Sequence, residues 1–190
     1  MFNSWFHIRL FSRFLQSTLK GTSFGKPFTY RKGELHIPIF GCDRFECLHF
    51  STQAPLPLLN IEQNLPKPKN RVPILTEIEG KQISQILWHK SDRQLLFDFN
   101  KGSEYLLFQI FGINGNAFHL NQNFEIIDSF KKVTKFSIPH KADFTTQDNL
   151  ILDKDLLLKT AADNQDKTIK QFLSYSNIPI FSKTLINEIC

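Results

Sequence analysis

"LWHKSDRQLLFDFNKGSEYLLFQIFGINGNAFHL", residues 87–120, decides the fold. Apolar runs alternate here with turn chemistry: Ser91-Asp92-Arg93, Asn100-Lys101-Gly102-Ser103 and Asn114-Gly115. The pattern predicts strands over Gln94–Phe99, Tyr105–Phe111 and Ala117–Leu120. Tyr105–Phe111 is apolar on both parities apart from Gln109, as expected of a strand in the middle of a sheet. Extending outward, Gln82–Trp88 and Phe124–Phe130 complete a five-strand meander. One feature is unexplained by strand patterning alone: opposite charges, Asp92 and Arg93, sit side by side at a turn between two apolar strands.

Upstream of this stretch, residues 4–20 place Ile8, Phe11, Leu15 and Leu19 on one helical face, with Ser4 and Gly21 as end signals. Phe24–Tyr30 and Glu34–Phe40 flank Arg31-Lys32-Gly33 as a hairpin, and Arg44–Ser51 alternates as a third strand. Residues 53–73, "QAPLPLLNIEQNLPKPKNRVP", read as a long irregular connection. A short helix is expected over Val72–Glu79. Downstream, the chain is polar from Ser137 to Asn149. Helical patterns then follow over Leu150–Ala162, Thr168–Tyr175 and Ile180–Ile189. The expectation is an α+β fold. It divides into an α+β domain over 1–136 and a helical segment over 137–190.

Phenylalanine is abundant, 20 residues against 3 Tyr and 2 Trp, which supplies a large aromatic core. The net charge of +5 permits contact with nucleic acid or an anionic surface without requiring it. Cys42 and Cys47 fall on opposite parity and form no CxxC pair, so they are expected to be reduced, as in a cytoplasmic protein. The histidines, at positions 7, 36, 49, 89, 119 and 140, show no metal-like spacing with them, and no metal is expected. No apolar run is long enough to span a membrane. The first 26 residues, which hold Arg9 and Arg13 but no acid, have the look of a mitochondrial presequence. A structural first helix is the preferred reading, because a coherent hairpin follows it.

The sequence has no GxSxG, HExxH, Walker or glycine-rich phosphate motif. Every histidine is isolated along the chain, and Asp98 and Asp128 have no evident partner. Neither an enzymatic activity, a cofactor nor a small-molecule substrate is therefore expected. The candidate site is the turn. An arginine held by an adjacent carboxylate is suited to phosphate or sugar, and Lys90 and Lys101 would add positive potential.

Two segments carry a family resemblance. "NSWFHIRLFSRFLQSTLKG", followed by "FGKPFTYRKGELHI", resembles the start of NFACT proteins, with an Arg at position 9, a terminal Gly, and Lys32 before Glu34-Leu35 in the hairpin. The second is "IEGKQISQILWHKSDRQLLFDFNKGSEYLLFQIFGINGNAFHLNQNFEIIDSFKK", similar to the family's strand, Asp-Arg turn and IIDxxKK ending. More weakly, "LINEI" near the C-terminus looks like the second helix of a helix–two-turns–helix element. That group includes the bacterial fibronectin-binding-protein-A-like factors and the eukaryotic tailing factors of ribosome quality control.

The resemblance implies antiparallel sheets akin to the N-terminal domain of formamidopyrimidine-DNA glycosylases, then a partial helix–two-turns–helix. It implies a role on the large ribosomal subunit with stalled peptidyl-tRNA, engaging tRNA in template-free tailing. Asp92 and Arg93 would serve tRNA engagement, with Lys90 and Arg9 beside them. Two departures stand out: Asn3-Ser4 replaces an acidic residue common in the family, and the chain ends at Cys190, inside the last helix. A fragment lacking its coiled-coil and RNA-binding partners is therefore one alternative. A glycosylase-like DNA-binding protein is another, although the glycosylase Pro-Glu start is missing. A surface adhesin is the third.

Overall fold

The computed structural model describes residues 5–53, 58–110, 115–133, 138–146 and 168. Among these residues the fold is α+β, one helix and two antiparallel sheets. Helix α1 spans Trp5–Leu19. It turns its Ile8, Ser12, Leu15 and Leu19 face inward, while Leu10 and Phe14 stay exposed. The helix ends where Gly21 takes a φ of +87°, a conformation open to glycine. The Thr22 amide and hydroxyl then both donate to the Leu19 carbonyl, at 3.0 and 2.7 Å.

The first sheet contains β1 (Ser23–Phe24), β2 (Phe28–Thr29), β3 (Glu34–Phe40), β4 (Cys47–Ser51), β5 (Leu58–Glu62) and β6 (Val72–Pro73). Its order is β5-β4-β3-β2-β6, with β1 pairing on β3. The second sheet contains β7 (Ile83–His89), β8 (Gln94–Phe99), β9 (Glu104–Gln109), β10 (Asn116–Asn121), β11 (Ile126–Ser129) and β12 (Phe144–Thr145), in the order β11-β10-β9-β8-β7-β12.

Alternation builds the layers. Leu35, Ile37 and Ile39 of β3, with Leu48 and Phe50 of β4, face Leu95, Phe97 and Phe99 of β8 and Leu106 and Phe108 of β9 in one core. Phe50 meets Phe108 edge-on at 5.2 Å, and Phe97 meets Phe24 at 5.6 Å and Phe108 at 5.5 Å. The opposite face of the second sheet has its own cluster, Leu96, Tyr105, Leu107, Phe118 and Leu120, covered by Phe144 and Ile138. With apolar clusters on both faces, β8 and β9 sit in the middle of the sheet, the place predicted for the apolar stretch after Tyr105.

Several expectations change in detail. The first hairpin strand is broken at Gly25–Pro27 into β1 and β2, both paired to β3. Pro27 has no N–H for a ladder. At Gly25 a Cβ would lie 2.6 Å from the Phe40 ring and 2.9 Å from Pro38 Cβ, so only glycine fits without a shift. Within the connection read as irregular, Leu58–Glu62 is an ordered edge strand, paired to β4 from Cys47↔Glu62 to Ser51↔Leu58. The helix expected over 72–79 is only a single 3-10 turn, Thr76–Ile78, because Pro73 is in β6 and Leu75 takes a left-handed φ of 52°. Residues 138–146, expected to be irregular, hold a 3-10 turn at Lys141–Asp143 and then β12, which pairs with β7. The three C-terminal helices, the 136/137 boundary and the Ser4 cap lie outside the described residues.

Phe97 is fully buried between the rings of Phe24 and Phe108, whereas Phe40 is 59% exposed. Phe97→Ala should lower the free energy of unfolding by about 3–5 kcal/mol, and Phe40→Ala by less than about 1 kcal/mol. Urea denaturation followed by fluorescence checks both, and comparable losses would contradict this placement of the core.

Candidate nucleic-acid interface

The Asp92-Arg93 turn is built from its own side chains. Asp92 Oδ1 accepts the Arg93 backbone N–H at 2.7 Å, and Oδ2 accepts from the Gln94 side-chain amide at 3.4 Å. The Arg93 carbonyl in turn accepts the Ile110 amide at 2.9 Å, tying the turn to the end of β9. The carboxylate therefore fixes the main chain from which the arginine projects, a local use of aspartate that competes with ladder pairing and favours turns. Both residues are partly exposed.

Lys90 belongs to the same turn and is exposed. Its Nζ donates to the Ala142 carbonyl at 2.6 Å and its amide to the Asp143 carbonyl at 2.8 Å, so the 141–143 turn braces it. Next to it, His89 Nδ1 accepts the Ser91 amide at 3.2 Å, and its ring meets Phe144 edge-on. Burial lowers the His89 pKa below 6.5; Asp92 and Asp143 oppose this and Lys90 adds to it.

Arg9 reaches this end through the run of α1. The Gly21 amide donates to the Ile83 carbonyl, and the Gln16 side-chain oxygen accepts the Ile86 amide at 2.6 Å, so α1 runs antiparallel to β7. From Gln16 back to Arg9 the helix covers ~10 Å, and from Ile86 to His89 the strand also covers ~10 Å. Arg9 is thus level with His89 and the turn that follows it. Lys101 is not part of this group. It lies past the other end of β8, whose six residues put roughly 17 Å between the two turns.

A second polar group escaped linear inspection. On β3, β4 and β5 the register sets His36 opposite His49, and Cys47 opposite Glu62. The His36 and His49 rings stack at 4.4 Å, and Tyr30 stacks on His36 at 4.9 Å. Cys47 is buried and Cys42 partly so, and both are free thiols. His119, also isolated in sequence, is fully buried with Nε2 on the Glu104 carboxylate, which Lys81 holds as well. The one available signal was the Cys-x-His alternation at 47–49, which puts both side chains on one strand face.

Sequence comparison finds no match, either to protein-family models or to curated proteins. Structural comparison does. The N-terminal domain of fibronectin-binding protein PavA from Streptococcus pneumoniae superposes with a TM-score of 0.72 at 17% identity, covering 98% of this chain and 82% of that one. The fibrinogen-binding protein from Staphylococcus aureus gives 0.64 at 17% identity, over 94% and 70%. The N-terminal part of the fibronectin/fibrinogen-binding protein from Streptococcus suis gives 0.58 at 22% identity, over 72% and 55%. The chain has the fold of these N-terminal domains. Among the described residues, no helix is long and apolar enough to cross a membrane.

His89 gives the turn a pH dependence of known sign. Its folded pKa lies below the unfolded value of 6.5, so its stabilising contribution is complete above 6.5 and is lost as pH falls through the lowered folded value. Thermal unfolding should therefore show wild type losing stability relative to His89→Gln on going from pH 7 to pH values below 6.5. An unchanged difference between the two proteins across that range would contradict the assignment.

Proposed function

We propose that the chain is a non-enzymatic RNA-binding module of the NFACT type, which engages tRNA through the end of the second sheet that carries Arg93, Lys90 and Arg9. The observation that carries this reading is the Asp92-locked turn: the carboxylate is spent on the main chain, and it holds an arginine at a fixed place beside a braced lysine. The main chain beneath such a cation has little freedom left to lose on binding phosphate. The fold of the fibronectin-binding-protein N-terminal domains supports the reading, as does the net charge of +5. In this role the partner is the large ribosomal subunit with its stalled peptidyl-tRNA, in the cytoplasm, and the turn reads backbone rather than bases.

Gel-shift titration of the chain with deacylated tRNA and a length-matched DNA duplex, across a salt series, tests this. Arg93→Ala should weaken tRNA binding roughly tenfold and reduce the salt slope by about 1. Asp92→Ala should weaken it less, and Asp92→Asn, which keeps the turn acceptor, least. Equal affinity for duplex DNA would favour the glycosylase-like alternative, and indifference to all three substitutions would remove the turn from any such role.

A second reading rests on the neighbours, which carry the names of fibronectin- and fibrinogen-binding proteins. On that reading this fold is itself an adhesin surface. Surface plasmon resonance on immobilised fibronectin and fibrinogen separates the two: saturable binding there, with no tRNA binding, would replace the RNA reading.

A further inference from the structure

The outer face of the first sheet holds a polar cluster that RNA binding does not use. Residues at positions 34 and 36 of β3, 47 and 49 of β4, and 62 of β5 share the face turned away from the core between the layers, as alternation and register require. There His36 is only 2% exposed and Cys47 is fully buried. His36 Nδ1 lies 3.9 Å from Cys47 Sγ, and His49 Nδ1 lies 3.0 Å from Glu62 Oε1. One ligand atom from each of His36, Cys47 and Glu62 falls within 4.8 Å of the other two. We propose that His36, Cys47 and Glu62 form a binding site for a divalent transition metal of the zinc type.

The donor set suits such an ion. Thiolate, imidazole and carboxylate together match a borderline-soft metal and are a poor cage for magnesium or calcium. Bonds of ~2.0–2.3 Å at tetrahedral angles put donors roughly 3.3–3.6 Å apart. The His36–Cys47 pair, at 3.9 Å, needs a shift of only a few tenths of an ångström, and a donor standing at the 4.8 Å limit needs a side-chain adjustment of about an ångström. A fourth position would be left to water.

The surroundings are those of an outer shell. A His49 Nδ1–H donated to Glu62 orients the carboxylate and leaves its second oxygen for the ion. Metal on His36 Nδ1 fixes the proton on Nε2, which has no hydrogen-bond partner among the described residues and has Glu34 Oε2 at 3.8 Å. The stacked Tyr30 and His49 rings hold the imidazole plane. The neighbouring set Glu34, His36 and His49 is less suitable, although its atoms are also close. Its two imidazoles are stacked within 5° of parallel, so their in-plane lone pairs lie in separate parallel planes and do not converge on one ion.

Without an ion, both strong donors are neutral. Burial lowers His36 to about 4, helped by His49 and Arg31; burial, with the nearby Glu62, raises the Cys47 thiol to about 12. Binding therefore exchanges the thiol proton for the metal: the S–H bond breaks, the S–metal bond forms and one proton goes to solvent.

Titration of the chelator-treated 190-residue chain with Co²⁺, followed by Zn²⁺, is the test. One equivalent of cobalt should give visible ligand-field bands and a near-ultraviolet thiolate-to-cobalt band, which zinc then bleaches. Cys47→Ser should abolish the thiolate band, and His36→Gln or Glu62→Gln should weaken binding at least ~tenfold. Cys42→Ser should change neither. Absence of the thiolate band in wild type overturns the proposal irrespective of how any variant folds. So does a thiolate band that survives in Cys47→Ser.

Discussion

The constraint from which the rest of the structure follows is that β8 is buried along its whole length, on both faces. Leu95, Phe97 and Phe99 supply the core between the sheets, while Leu96 joins the cluster on the far side. A slip of one residue would exchange the two sets, so register is tightly specified. Polar groups on this strand find partners chiefly nearby. The Gln94 side-chain amide donates to Asp92 at 3.4 Å, although its buried carbonyl oxygen has no partner among the described residues. Asp98 accepts the Gly102 amide at 2.6 Å while burial raises its pKa. The turns at either end take up what the strand cannot hold.

The two turns solve that problem differently. At one end Asn100, Lys101 and Gly102 all have positive φ, and Asp98 pins the Gly102 amide from within the strand. At the other, Asp92 caps its own turn, Arg93 is partly exposed, and Lys90 is braced on the Ala142 carbonyl near the level of Arg9. The acid of the pair that looks redundant in the sequence thus has a task on the backbone, and on the proposed reading the bases provide the field. On that reading, contact with phosphate is screened by salt and gains affinity chiefly through released counterions.

Much of this was legible in the sequence where one period dominated. The α1 face was read from Ile8, Phe11, Leu15 and Leu19, and β8 from its turn signals. β5 was hidden because Leu58–Glu62 is short and lies among prolines, and its order comes from pairing with β4. The expected helix at 72–79 failed because left-handed Leu75 and Pro73 outweigh its apolar spacing. The cluster of His36, His49, Cys47 and Glu62 could not be seen from linear spacing, since its members meet only through the registers of two hairpins. Lys101 shows the reverse case: near Arg93 in sequence, it is carried away by the length of a strand.

The fold alone leaves many functions open, since one architecture serves unrelated sites. The proposed RNA contact is therefore a positional one, at the end of the second sheet where β7 turns into β8. Backbone amide chemical shifts of the labelled chain, recorded with and without tRNA, test it most directly. The account predicts the largest changes at Lys90–Gln94 and around Arg9, with β3–β5 unaffected. Changes centred on Lys101, or on the outer face of the first sheet, would contradict it.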